Sequence, residues 1–211
     1  MASSPLRIAL IDYGMGNLAS VAKALEKAGA EVELTHDPAV VRRAGAVVLP
    51  GVGAFRDASA RLEESGLGAA VCDRIAAGVP FLGVCLGLHL LFESSGENGR
   101  WPGLGVFKGT VERIDTSLKV PHIGWNELSW RSAGAPMAAG LQAPSSVYFV
   151  HSYAARPVDE SIIAAVTDYG GEIVAAVARD NIWAMQFHPE KSSAVGLRLL
   201  ANFISAAHQE A

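Results

Sequence analysis

The sequence predicts an α/β fold on a mainly parallel open sheet, and two observations carry that prediction. In its first half, short apolar runs alternate with segments of helical periodicity, the pattern of βαβ units with helices on both faces of a sheet. In its second half, apolar runs follow one another through tight polar turns such as Tyr169-Gly170-Gly171 and Arg179-Asp180-Asn181, which adds antiparallel strands to the same sheet.

The elements follow in order. Leu6 to Ile11 is a buried strand. Asn17 to Gly29 is a helix with Leu18, Val21, Ala22 and Leu25 on one stripe and Gly29 as its stop. Ala30 to Leu34 alternates as a strand, and Asp37-Pro38 opens a short helix. Ala46 to Leu49 is a strand that runs into Pro50-Gly51-Val52-Gly53. Phe55 to Ala77 is helical, with breaks offered at Gly66 and Gly68. Val79 to Val84 is a strand, and Leu86 to Phe92 starts a helix. Further strands read at Gly105 to Ile114, Ile123 to Trp130, Val147 to Tyr153, Ser161 to Thr167, Glu172 to Ala178 and Ile182 to Phe187. Ala194 to Ala207 is an amphipathic helix. Only Gly134 to Ser146, rich in Ala, Gly and Pro, reads as a loose stretch. A single domain spanning 1–211 is therefore expected.

Composition removes several classes of function. Seventeen Lys and Arg against 21 Asp and Glu give a net charge of −4, with no basic excess to hold nucleic acid or an anionic membrane. Two cysteines, Cys72 and Cys85, cannot build a disulfide framework in a chain of 211 residues, so a reducing, cytoplasmic location is expected. The apolar piece near the N-terminus is too short for a secretory signal. Ile75 to Phe92 carries no formal charge, but Pro80, Gly78, Gly83 and Gly87 interrupt it. That favours a strand, a sharp turn and a helix over a membrane span. No Walker lysine, dinucleotide fingerprint or zinc-spaced His/Cys cluster is present, so neither cofactor nor metal is expected.

Chemistry concentrates at Gly83-Val84-Cys85-Leu86-Gly87. A buried strand entering Gly-x-Cys-x-Gly and then a helix is the cysteine form of the nucleophile elbow. The flanking glycines make room at a strained turn, and the helix N-terminus favours thiolate. The backbone N–H of Leu86 would point toward a developing oxyanion. Cys72, inside a helical pattern, reads as packing. Such a thiol needs a base, and His188 in His188-Pro189-Glu190 is the best placed of six histidines. In an extended segment residues two apart share a face, which lets Glu190 orient the imidazole. Pro50-Gly51-Val52-Gly53 also lies at the carboxyl end of a strand, where open sheets bind ligands, and offers further oxyanion donors. These residues argue for acyl transfer through a Cys-His-Glu triad without naming a substrate.

Several longer motifs resemble the class I (triad) glutamine amidotransferases, most nearly the glutaminase subunits of imidazole glycerol phosphate synthase. They are Asp12-Tyr13-Gly14-Met15-Gly16-Asn17, Leu49 to Phe55, Gly83 to Gly87, Lys119 to Asn126, Tyr148 to Tyr153 and Gln186 to Ser192. The resemblance implies a flavodoxin-like open sheet and hydrolysis of L-glutamine through a glutamyl thioester on Cys85. It implies His188 as base and acid, Glu190 as its orienting partner, and an oxyanion hole from Gly51, Val52, Gly53 and Leu86, with or without a peptide flip. Glu97 would hold the substrate α-amino group, and His89, His151, Ser152 and Tyr153 would line the glutamine site. Asn17, Trp125, Asn126 and Lys191 would face a (β/α)8 synthase subunit that receives the ammonia. One departure stands out: the class usually carries Gln four residues after the nucleophile, where this sequence has His89. A different synthase partner, a non-catalytic binding subunit and a cysteine hydrolase on the same elbow stay open at this level.

Overall fold

The computed structural model describes residues 6–210, so the expectation about the extreme N-terminus lies mostly outside it. In chain order its elements begin with β1 (Arg7–Ile11), α1 (Leu18–Lys27), β2 (Glu31–Thr35), α2 (Pro38–Val41) and β3 (Ala46–Leu49). Next come α3 (Phe55–Glu64), α4 (Leu67–Ala76), β4 (Phe81–Val84), α5 (Leu86–Leu90), β5 (Phe92–Ser95), β6 (Trp101–Pro102) and β7 (Phe107–Arg113). The chain continues through β8 (His122–Trp130), β9 (Ser145–His151), β10 (Tyr153–Pro157), β11 (Ile163–Asp168), β12 (Glu172–Arg179), β13 (Ile182–Met185) and α6 (Ser193–Glu210).

The main sheet runs β2-β1-β3-β4-β13-β12-β11-β8-β9. The five strands from β2 to β13 pair in parallel, in the order of a flavodoxin-like doubly wound sheet. Beyond β13 every pairing is antiparallel. Both faces of the parallel half are covered, which is why these strands read as continuous apolar runs. Their alternation divides them between two cores. Ile8, Leu10, Val48 and Leu82 pack toward α1 and α6, beside Leu25, Leu199 and Phe203. Ala9, Ile11, Val47 and Phe81 pack toward α3 and α4, beside Phe55, Leu62 and Val71.

Four differences from the sequence reading stand out. The helical stretch after Phe55 breaks once, at Gly66, which adopts a left-handed φ of 72°, while Gly68 lies inside α4. The run after Cys85 stops being helical at Leu90, and Phe92 begins a strand. Every residue from Leu86 to Phe92 is buried, so the run has no polar face from which to read a period. Finally, the strand at Gly105 to Ile114 does not extend the main sheet. It contributes β7 to a second sheet ordered β10-β7-β5-β6. The single strand expected over Val147 to Tyr153 divides at Ser152 and serves both sheets, β9 in one and β10 in the other. No helix among the described residues is long and apolar enough to cross a membrane.

The carboxyl ends of β3, β4 and β13 lie side by side, which sets the loop after each at one edge. Packing there is tight at the backbone. A Cβ on Gly87 would collide with the Leu49 carbonyl group, and one on Gly83 would lie 2.9 Å from the Gly87 carbonyl oxygen. Backbone cannot move aside as a flexible side chain can. Gly87→Ala is therefore expected to destabilise the protein by roughly 3 kcal/mol or to displace the elbow. A fall in the urea midpoint at unchanged m-value checks this.

Candidate active site

Cys85 caps β4 and precedes α5 with φ 55° and ψ −106°, a conformation costly for a non-glycine residue. Its N–H is held by the Met185 carbonyl at 2.7 Å, so β13 anchors the turn. The elbow expected from the glycine spacing is present. The helix behind it has only five residues, however, so its dipole offers less to a thiolate than a long helix would.

His188 leaves β13 in extended geometry (φ −100°, ψ 96°), and its N–H donates to the Tyr148 carbonyl of β9 at 3.0 Å. Ser192 locks the turn: its hydroxyl donates to the His188 carbonyl at 2.7 Å and accepts the Tyr148 N–H at 3.0 Å. Glu190 meets His188 as expected, its Oε1 lying 2.9 Å from the ring Nδ1. The route is different, because Pro189–Lys191 forms a 3₁₀ turn and not an extended run. Both side chains are almost fully buried. With Nδ1 donating to the carboxylate, Nε2 is left for Cys85.

Burial works against a charged His188. The hydrogen bonds to the Cys85 sulfur and to Glu190 outweigh it and raise the imidazole from 6.5 to about 9. In contrast, burial and then the neighbouring Asp73 push the Cys72 thiol up, which suits a packing role.

A cavity of about 380 Å³ opens over the sulfur. It gathers most of the residues singled out from the sequence: Val52, Gly53, Cys85, Leu86, His89, Glu97, His151, Ser152, Tyr153, His188 and Lys191. Gly51 is buried behind it. Glu97 Oε2 accepts the Phe55 N–H at 2.7 Å, which ties the cavity wall to the start of α3. Asn17 is exposed at the start of α1, and Trp125 is exposed on β8. Asn126 turns its amide inward, donating to the Asp168 carbonyl at 2.8 Å.

One expectation needs correction. The Leu86 N–H does not face an open oxyanion position, because it donates to the Gly51 carbonyl at 3.3 Å. The hole is closed by its own loop in this conformation.

Sequence reasoning missed Gln186. Its side chain is fully buried and links two site residues. His89 Nε2 lies 2.6 Å from Gln186 Oε1, and Gln186 Nε2 donates to Cys85 Sγ at 3.9 Å. A neutral His89 donating through Nε2 satisfies this chain, and burial lowers its pKa to about 4 despite the bond to Gln186. His89 therefore orients the amide that faces the Cys85 sulfur. A Gln in the apolar run that leads into His188 was the available signal.

A pair of histidines supports the far wall. His151 Nδ1 lies 2.9 Å from the Tyr153 carbonyl, so it carries the proton and leaves Nε2 to accept from His122 Nδ1, also at 2.9 Å. Burial keeps both rings neutral, lowering His151 to about 3. His122 is stacked between Phe149 and Tyr169.

A family model described as "Glutamine amidotransferase class-I" matches residues 9–207. The chain belongs to the class I glutamine amidotransferases. Among curated relatives it is 52% identical over 201 residues to imidazole glycerol phosphate synthase subunit HisH of Thermosynechococcus vestitus, covering 94% of this chain and 96% of that one. It is 51% identical over 199 residues to the subunit of the same name from Aquifex aeolicus, with coverage of 94% and 96%. Solved amidotransferase folds agree. PurLQS of Thermotoga maritima superposes with a TM-score of 0.76 at 16% identity, over 96% of this chain and 99% of that one. The glutaminase domain of Trypanosoma brucei CTPS does so with a TM-score of 0.68 at 17% identity, over 97% and 94%.

The His188 shift has a measurable sign. Its folded pKa of about 9 lies above the ordinary 6.5, so the stability it contributes is complete below 6.5 and is lost as pH rises through about 9. An NMR titration of the wild-type ring is expected to show a midpoint near 9. Cys85→Ala is expected to lower that midpoint by removing one of the bonds that raise it.

Proposed function

We propose that the chain is the glutaminase subunit of an imidazole glycerol phosphate synthase, a single cytoplasmic amidotransferase domain that delivers ammonia to a (β/α)8 synthase subunit. The observation that carries the reading is the buried Glu190–His188 pair, whose ring lines the same cavity as Cys85. It occurs in a chain about half identical, over nearly its full length, to subunits of that name.

In this reading Cys85 Sγ attacks the side-chain carbonyl carbon of L-glutamine. His188 accepts the thiol proton and returns it to the departing ammonia, leaving a glutamyl thioester. Water, deprotonated by the same ring, then releases glutamate and restores the thiol. Glu190 holds the ring in the tautomer this exchange requires. The oxyanion of each tetrahedral intermediate needs the Leu86 N–H, so the Gly51–Val52 peptide must turn its carbonyl away before or during attack. His89, Glu97, His151, Ser152 and Tyr153 bound the space where the amino-acid end of glutamine fits, and Glu97 matches its ammonium in charge.

The face beside the cavity mouth supports a docking role. Ile123 and Trp125 point outward from one face of β8, 58% and 55% exposed. Val150 pairs with Ile123 across the ladder, and Val52 extends the apolar surface at the loop. Lys191 stands at the rim, 6.0 Å over the Tyr148 ring. An exposed Trp on a rigid strand is a suitable anchor. The inward-turned amide of Asn126 leaves it a supporting role there.

Two measurements test the proposal. Cys85→Ala is expected to lose roughly 10³-fold or more of glutamate release, while the wild type is expected to speed up when the synthase subunit and its ligand are added. Turnover that survives the substitution rules the mechanism out. Trp125→Ala is expected to weaken binding of the synthase subunit roughly 30-fold with an unchanged circular dichroism spectrum, as calorimetric titration would show.

A further inference from the structure

Tyr13 stands where β1 gives way to the loop before α1. Its side chain is buried, 5% exposed, and its hydroxyl has no hydrogen-bond partner among the described residues. A buried, unmade hydroxyl bond is a standing cost, and packing alone would be served better by phenylalanine. The hydroxyl is lodged against the oxyanion loop. A Cβ on Gly51 would collide with the Tyr13 oxygen and come within 2.9 Å of Leu86 Cβ. Burial first, and then the charge of Cys85, raise the phenol, which keeps it a protonated donor beside the site.

The sheet order says what this donor faces. Strand β3 lies between β1 and β4, so Gly51, after β3, sits between Tyr13, after β1, and Leu86, after β4. In the present conformation the Gly51 carbonyl points to the β4 side and occupies the Leu86 N–H. Turning that peptide over to free the N–H sends the carbonyl to the opposite side, that of β1. There it would itself be buried and in need of a donor.

We propose that Tyr13 is a positioning residue for the oxyanion hole: its hydroxyl donates to the Gly51 carbonyl once the Gly51–Val52 peptide has turned, and so stabilises the open hole. The inference rests on the glutaminase reading and deepens it. It explains why an unpaired phenol is kept at this point. It also separates two tasks within the site, since Gln186 faces the sulfur whereas the hole is held open by Tyr13.

The test compares Tyr13→Phe with the wild type, both as the full chain bound to its synthase subunit. Loss of the hydroxyl is expected to lower kcat for glutamine about tenfold, the equivalent of ~1.4 kcal/mol, with KM nearly unchanged. Alkylation of Cys85 by iodoacetamide, followed by mass spectrometry of its peptide, needs no oxyanion hole and is expected to proceed at the wild-type rate. The melting temperature is expected to stay level or rise, because an unpaired buried hydroxyl has been removed. Wild-type kcat in Tyr13→Phe overturns the proposal. So does a parallel fall in alkylation rate, which would assign Tyr13 to packing around the thiol. Either result leaves the glutaminase reading standing, since that reading fails only if Cys85→Ala retains turnover.

Discussion

Three loop backbones meet at one edge of the parallel sheet, and the remainder of the site follows from how little room they leave. The turn after β4 is pressed against the Leu49 carbonyl group on one side through Gly87, and is held by the Met185 carbonyl on the other through the Cys85 N–H. Those contacts fix the cysteine at a positive φ that an isolated turn would not hold. They also decide that the neighbours of the sulfur come from β13, since Gln186 and His188 are the next residues along that strand's exit. Strain at Cys85 and placement of His188 are thus two results of one packing arrangement.

Electrostatics divides the buried polar groups into two sets. His188 is raised because it sits between a sulfur and a carboxylate. His89 and His151 are lowered because burial dominates and their partners are neutral amides, carbonyls or rings. The first set carries a proton that can be exchanged near the sulfur. The second stays neutral through the physiological range and supplies fixed donors and acceptors. His89 shows how a departure from the usual residue is absorbed: the imidazole does not imitate an amide in the cavity but orients the Gln186 amide against the cysteine.

The proposed docking face and the cavity over Cys85 share structural parts. The β8–β9 ladder displays Ile123 and Trp125 outward, and its His122–His151 pair faces inward to the cavity wall. In the proposed reading, a subunit seated on that ladder would press on elements that bound the cavity over Cys85, and on the loop whose Gly51 carbonyl accepts the Leu86 N–H.

From the sequence alone, apolar runs and glycine stops determined the parallel half of the sheet, because each strand there is buried on both faces and each helix on one. The elbow was legible because only glycine tolerates backbone contact at residues 83 and 87. The His-Pro-Glu segment was legible because its chemistry is local. Tertiary structure alone decided the rest. It separated β7 and β10 into a second sheet, since strand pairing partners leave no mark on period. It placed Glu190 by a 3₁₀ turn where an extended run was expected. It brought Tyr13, Gly51 and Leu86 together from three strands far apart in the chain, and it put the Gly51 carbonyl on the Leu86 N–H. A peptide plane's direction is set by its neighbours in space, and no pattern of side chains along the chain encodes it.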